Sequence, residues 1–402
     1  MQNKMTEGNV IRALAAFTVP LILSGLFQQL FNWVDAFIVG NVEGETALAG
    51  IGATTSVYNL FVTVITGFAS GLSVLTAQRY GMGEKGKIRE LLSSYTVLFA
   101  LLFTVISAAG TVFTEELLVV LDTPETIFFS AQSYLKLLFA GIPFLAVYNT
   151  YSAVLRGIGN SSAPFFSILV CSAVNVVLDL LFVAGMGYGA AGAAAATAIS
   201  QAAMAVYVIV YTVRKYPFLR FSFSGNLPDK TVWKSGAAYG LPSAVQSGVS
   251  SAGNIYLQQF MNGFGEQTVA AITTAYRVDT VIFLPIINFG SGIATVVAQN
   301  IGAGKPERAK QVFHAISRFY MIYGISMAVR GCLEGRGDML FSGIAGILSL
   351  GVRILCSYAF KPVFGNMVVA YAEAFLWIFL LAVLLLRYVV KTRQTFPHFV
   401  KK

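Results

Sequence analysis

Two aspartates stand inside apolar stretches of the chain, Asp35 in Asn32-Trp33-Val34-Asp35-Ala36-Phe37 and Asp179 in Asn175-Val176-Val177-Leu178-Asp179. An ionisable group held in lipid is costly, so it marks a functional candidate by default. Asp35 lies five residues before Gly40 and Asp179 six before Gly185. On helices ending at those glycines, both carboxyls fall roughly 8 Å inside the same boundary. Asn175 is one helical turn from Asp179 on the same face. Two carboxylates and an amide oxygen at one level could hold a small hard cation such as Na+, or share a proton, because neighbouring like charges resist joint ionisation. The plainer alternative is that each acid snorkels or bonds a nearby hydroxyl.

Other polar residues within apolar runs supply a second set of candidates. Gln28, Gln29 and Asn32 form a stripe leading toward Asp35, while Tyr148, Asn149, Gln201, Gln246, Asn254 and Gln258 could line a cavity from other helices. Interhelical hydrogen bonding is an equally good role for each. Pro20 frees a backbone carbonyl and allows the first helix to bend, so protonation or cation loss at Asp35 is expected to bias that bend. Arg353 and Glu373, at like depth on adjacent segments, are expected to form a structural ion pair, since either charge alone in lipid would be expensive. Arg277 and Asp279 are two residues apart, do not face the same way, and are expected to snorkel. Cys171, Cys332 and Cys356 are widely separated, and the only histidines, His314 and His398, lie in an amphipathic segment and the tail, so no metal or Ser-His site can be assembled.

These residues need a membrane to sit in, and composition supplies one. Of 402 residues, 56% are hydrophobic and 11% charged, against about 25% charged in soluble domains. That excludes disorder, a nucleic-acid-binding arm and an ordinary soluble enzyme. Apolar runs long enough to span a bilayer are expected at 14–39, 51–76, 92–113, 128–152, 163–185 and 191–213, then at 236–261, 275–298, 339–360 and 366–386. Residues 1–9 are short and polar, and the first apolar run is long enough to be retained, so no cleaved signal is expected. Residues 1–213 form an N-terminal six-helix lobe, 214–235 a basic cytoplasmic linker and 236–402 a C-terminal lobe. With both termini cytoplasmic, Arg12, the loop from Arg79 to Arg89, Arg156, the linker and the loop from Lys305 to Lys310 all face inward, while Glu115, Glu116 and Glu125 face outward. Most of the net charge of +9 is therefore an orientation signal.

One segment does not fit the plan. Residues 311–329 contain His314 and Arg318, and only 319–329 run without a polar break. Eleven residues at about 1.5 Å each cannot cross a core of about 30 Å. Ten complete spans plus a short, non-spanning helix are expected. An internal repeat explains why. Phe68, Ser70, Gly71, Ala77, Gln78, Gly81 and Gly83 recur as Phe289, Ser291, Gly292, Ala298, Gln299, Gly302 and Gly304, all at an offset of 221, whereas Gly157 and Gly159 recur as Gly335 and Gly337 at an offset of 178. The second copy is thus 43 residues, or one helical hairpin, short near 311–329. Repeated lobes in a membrane point to alternating access about a central cavity. At repeat-related positions Asp35 becomes Tyr256, and Asn175 and Asp179 become Arg353 and Ser357, so any ion site belongs to the first lobe alone.

The combination of Pro20, the segment from Asn32 to Gly40, Ala77-Gln78 with Gly81 and Gly83, Leu155-Arg156-Gly157-Ile158-Gly159, the segment from Asn175 to Asp179 and Ala298-Gln299-Asn300 resembles the MATE (multidrug and toxic compound extrusion) family, and its DinF-like branch in particular. The resemblance implies a two-lobe helical antiporter of the cell membrane that exports amphiphilic, often cationic compounds against Na+ or H+, with Asp35, Asn175 and Asp179 at the coupling-cation site. No cofactor is expected, and a monomer with the bilayer and small substrates as its partners. Abundant aromatics would contact flat amphiphiles and an acidic cavity would favour cations. The alternatives are a lipid or polysaccharide flippase of the same superfamily, a degenerate non-transporting relic, and, remotely, an intramembrane aspartyl protease using Asp338.

Overall fold

The computed structural model describes residues 5–43, 45–121, 123–221, 230–264, 266–316 and 322–395. The middle of the basic linker (222–229), Arg318 and His398 lie outside the described residues, as do the side chains of Asn32, Arg277, Asp279 and His314. Among the described residues thirteen α-helices follow one another: α1 (Val10–Glu43), α2 (Glu45–Gly81), α3 (Lys85–Val112), α4 (Thr114–Val120), α5 (Glu125–Gly157), α6 (Ser162–Asp179), α7 (Gly189–Lys215), α8 (Lys230–Asn262), α9 (Glu266–Gly302), α10 (Pro306–Ile316), α11 (Ile322–Gly335), α12 (Met339–Phe364) and α13 (Val368–Thr395). Among the described residues there is no strand. Lipid cannot satisfy backbone polar groups, so a polytopic chain meets them within helices.

Nine helices among the described residues are long and apolar enough to cross a bilayer. The tenth expected span, 236–261, does form within the 33-residue α8 but is not among the nine. Its length, about 50 Å, is ample. What it lacks is apolarity, because one face carries Ser243, Gln246, Ser247, Ser250, Ser251 and Asn254 into a central cavity. The short segment appears as α10 and α11, of 11 and 14 residues, each too short to cross alone.

The first helix of each half lies across the seam between the halves. Leu14, Phe17 and Leu21 of α1 pack with Ile293, Val296 and Val297 of α9, whereas Ile38 and Val39 at its other end pack with Tyr134, Leu138 and Val183. Pro20 sits inside α1 within the stretch that packs on α9, and Ser24 Oγ donates back to the Pro20 carbonyl at 2.7 Å. In the same manner α8 lies against α2 and α12. Close approach is licensed by glycine: a methyl added at Gly81 would overlap the Gln299 carbonyl oxygen, and one at Gly302 the Gln78 carbonyl oxygen.

The repeat survives in the turns. Gly159 and Gly337 both adopt φ +90°, a conformation that a Cβ would strain. After each comes a polar residue that ties the corner down. Asn160 Nδ2 donates to the hydroxyls of Tyr211 at 3.0 Å and Tyr216 at 2.9 Å, while its Oδ1 accepts from the Ala163 N–H at 3.1 Å. Asp338 instead accepts from Arg387 at 2.7 and 3.2 Å.

The loops after α2 and α9 lie at one end of the bundle, and the N-terminal segment is strapped there. Lys305 Nζ donates to the Thr6 carbonyl at 3.0 Å, and the Arg308 guanidinium donates to the carbonyls of Glu7 and Gly8, each at 2.7 Å. These bonds draw Lys305 and Arg308 to the basic, repeat-related end.

Candidate functional site

The two intramembrane aspartates meet. Asp35 projects from α1 and Asp179 is the last residue of α6, immediately before a π-helical turn, Leu180–Gly185. Their carboxyls stand close enough to act on each other's ionisation. Asp179 is fully buried. With its amide oriented to satisfy both ends, Asn175 Nδ2 donates to Asp179 Oδ2 at 2.6 Å and its oxygen accepts from the Thr197 N–H at 3.3 Å. Asp35 Oδ1 and Asp179 Oδ1 have no hydrogen-bond partner among the described residues. A hydrogen bond between two carboxyls requires that one of them carry a proton, whereas two ionised carboxylates so placed would need a cation between them.

Asn175 stands between Asp179 and Thr197, beside the carboxyls as its spacing from Asp179 requires, and its amide can turn either its oxygen or its nitrogen to Asp179. Among the described residues no group of three or more His, Cys, Asp or Glu forms a metal-binding cluster.

The pair is walled by Tyr134 and by a relay through α2. Gln201 Nε2 donates to the Tyr58 hydroxyl at 2.5 Å, and both Tyr58 and the two aspartates lie close enough to act electrostatically on Tyr134. Tyr58 faces the first lobe while its helix neighbours Ser56, Asn59 and Thr63 face the other way, into a cavity between the halves. α2 is therefore the partition between carboxyl pair and cavity.

That cavity has a volume of about 990 Å³. Of the residues expected to line it, Gln246, Asn254 and Gln258 do so. Tyr148, Asn149, Gln201 and Gln28 do not. Tyr148 and Asn149 are buried inside the first lobe, where the Tyr148 hydroxyl donates to the Pro164 carbonyl at 3.4 Å and Asn149 Nδ2 to the Leu145 carbonyl at 2.9 Å. Gln201 is turned toward Tyr58, and Gln28 is exposed on α1. The reason is common to the four: a polar side chain in a helix can turn to a neighbouring helix, to its own backbone or to the outer surface as readily as to a cavity.

Arg330 and Glu334 line the floor, and sequence reasoning did not single them out because they fall beside the segment that was too short to span. Arg330 Nε donates to Glu334 Oε1 at 2.7 Å, Ser342 Oγ donates to the same oxygen at 2.7 Å, and Arg330 also bonds Gln246. Their i, i+4 spacing on one helix face was the available signal. Arg353 Nη2 reaches Glu373 Oε2 at 3.1 Å and the Tyr276 hydroxyl at 2.6 Å. Asp338, engaged with Arg387, is on a corner apart from the Asp35–Asp179 pair, so no second aspartate among the described residues reaches it to make a protease dyad.

Toward the basic end the cavity is closed by a reciprocal pair of hydrogen bonds between the halves. Gln78 Nε2 donates to the Gly335 carbonyl at 2.9 Å, and its repeat partner Gln299 Nε2 donates to the Gly157 carbonyl at 2.7 Å. Gln78 also accepts from the Tyr239 hydroxyl at 2.7 Å. The repeat showed these glutamines as matched letters, not as a clasp.

Comparison with known proteins supplies the context. The family profile described as MatE matches residues 20–181 and 242–331. The chain is 30% identical over 306 residues to a probable multidrug resistance protein, YpnP, of Bacillus subtilis, covering 75% of this chain and 68% of that one. It is 24% identical over 319 residues to an FAD transporter of Shewanella oneidensis, covering 78% of this chain and 70% of the other. A crystal structure of MATE in the bent conformation superimposes with a TM-score of 0.89 at 19% identity, over 98% of this chain and 97% of that one, which shows a common fold.

Proposed function

Because the chain belongs to the MatE family, whose members are membrane transporters and not enzymes, we propose that it exports drugs or other toxic amphiphiles from the cell by alternating access, driven by proton entry through the Asp35–Asp179 pair. The observation that carries the reading is the juxtaposition of the two carboxyls, which would repel unless a proton or a cation lay between them. Na+ is the second candidate for the coupling ion, since two carboxylate oxygens stand without partners among the described residues.

The proposed cycle uses this chain's own parts. With the pair protonated, Asp35 on α1 is held to Asp179 on α6. Loss of the proton leaves two facing carboxylates that repel, and the strain falls on α1, which can yield at Pro20 where an intrahelical bond is missing. Since α1 packs on both halves, a change in its bend alters how they meet. The basic end, with Lys85, Lys87, Lys305 and Arg308, is placed in the cytoplasm together with both termini, following the positive-inside rule. The cavity then faces outward in this structure and the Gln78–Gln299 clasp closes the inner side. Such a protein would work as a monomer and need no cofactor. The names of the relatives, a multidrug resistance protein and an FAD transporter, support a drug-sized cargo.

Dye efflux from proteoliposomes under separate H+ and Na+ gradients tests the proposal. Proton-driven efflux that is abolished by Asp35→Asn and by Asp179→Asn is expected. Absent or gradient-independent efflux by the parent chain would defeat it, and efflux driven by Na+ alone would replace the proton with that ion.

A further inference from the structure

The residues that line the central cavity are mostly of polar type. Eight hydroxyl and five amide side chains line it against two apolar ones, Ile287 and Met327. Among the described residues no aromatic ring lines it, although 13% of the chain is aromatic. Nor does it offer a cation a counter-ion. Glu334, the one carboxylate on the wall among the described residues, already accepts from Arg330 and Ser342. Asp35 and Asp179 lie on the other side of α2.

Thr63 and Ser291 already donate to backbone carbonyls and Gln246 is bonded to Arg330, but a cargo that seals the wall from water without bonding its other hydroxyls and amides, such as those of Ser250 and Asn254, strips them of water without return. A cargo that brings donors and acceptors of its own meets no such penalty. Sites built to bond a substrate hydroxyl discriminate strongly against the analogue lacking it, whereas apolar pockets discriminate weakly. The volume of about 990 Å³ accommodates a drug-sized molecule with its polar chain extended.

We propose that the central cavity selects uncharged, polyhydroxylated compounds, such as a ring system bearing a sugar or alditol chain, through the hydroxyl and amide face that α8 turns toward α2. This assignment rests on the reading of that cavity as the cargo site, and it departs from the cationic preference expected from the sequence.

Riboflavin and lumiflavin give a matched test, since they share one fluorescent ring system and riboflavin alone carries a hydroxylated chain. Binding of each to the purified full chain in detergent is measured by fluorescence, with ethidium as the flat cation. Riboflavin is expected to bind at least about tenfold more tightly than lumiflavin or ethidium. In the double variant Ser250→Ala, Asn254→Leu the preference over lumiflavin should shrink to within about threefold, with thermal stability unchanged. Lumiflavin or ethidium binding as tightly as riboflavin, or no saturable riboflavin binding up to its solubility limit, would overturn the assignment. Binding is read without any gradient. Should efflux fail while the riboflavin preference holds, the antiport reading falls and the cavity assignment stands. Should ethidium efflux follow the gradient while no hydroxyl preference is found, the cavity assignment falls and the antiport reading stands.

Discussion

Replacing Gln78 by Ala should loosen the closed end of the cavity by an amount that can be worked from its bonds. The side chain is 8% exposed, donates to the Gly335 carbonyl at 2.9 Å and accepts from the Tyr239 hydroxyl at 2.7 Å. Truncation leaves one buried acceptor and one buried donor without partners, at about 1–3 kcal/mol each. If opening this end lets water reach both groups, the variant relieves that cost only in the open form. The equilibrium should therefore shift toward opening by about 2–6 kcal/mol, or roughly 30- to 20,000-fold, since each 1.4 kcal/mol is a factor of ten. The assay is alkylation of a reporter cysteine at Ala77, which is fully buried at the crossing, in a background where Cys171, Cys332 and Cys356 are Ser. Its rate should rise by the same factor when opening is fast relative to labelling. A second reporter at Ala205, buried within the first lobe, should not respond. A rate increase below about threefold at position 77 would refute the clasp as the element holding this end shut. Equal acceleration at both sites would mean general loosening instead.

Three further outcomes are expected. Arg353→Met strands Glu373 in a partly buried site and should lower thermal stability in detergent by about 2 kcal/mol, while Arg353→Met with Glu373→Met should recover most of the loss, a double-mutant cycle that a mere packing role for Arg353 would not reproduce. Asn160→Ala removes bonds to Tyr211, Tyr216 and the Ala163 N–H and should cost about 1–3 kcal/mol, read from the same melting curves; a change within about 0.5 kcal/mol would show that the corner is held by Gly159 alone. Lys87 and Arg79, both hydrogen-bonded to Glu84, hold that half-buried carboxyl below its ordinary value of 4.5. The brace between α2 and α3 is thus complete above that value and fades as pH falls through the lowered one, so the protection of the amides at residues 82–84, relative to their intrinsic exchange at each pH, should fall in acid, and Glu84→Gln should be weakly protected throughout.

Legibility varied with the kind of residue. The Asp35–Asp179 contact could be anticipated by counting from helix ends, because rise per residue converts position into depth. Gln246, Asn254 and Gln258 reached the cavity because α8 is polar along one whole face. Tyr148 and Asn149 did not, since a lone polar residue in an apolar helix gives no direction. The serines of α8 went unread for a different reason: small hydroxyls are as common in helix packing as in cavities.

The glycine crossing of α2 and α9 has a consequence for suppressor genetics. A side chain at Gly25 would strike the tip of Leu284, so trimming Leu284 offers a second-site rescue. At Gly81 and Gly302 the obstacle is a backbone oxygen, which every amino acid carries. Lesions there have no reciprocal substitution to relieve them, so selection for revertants should return glycine at those two codons and compensated pairs at position 25.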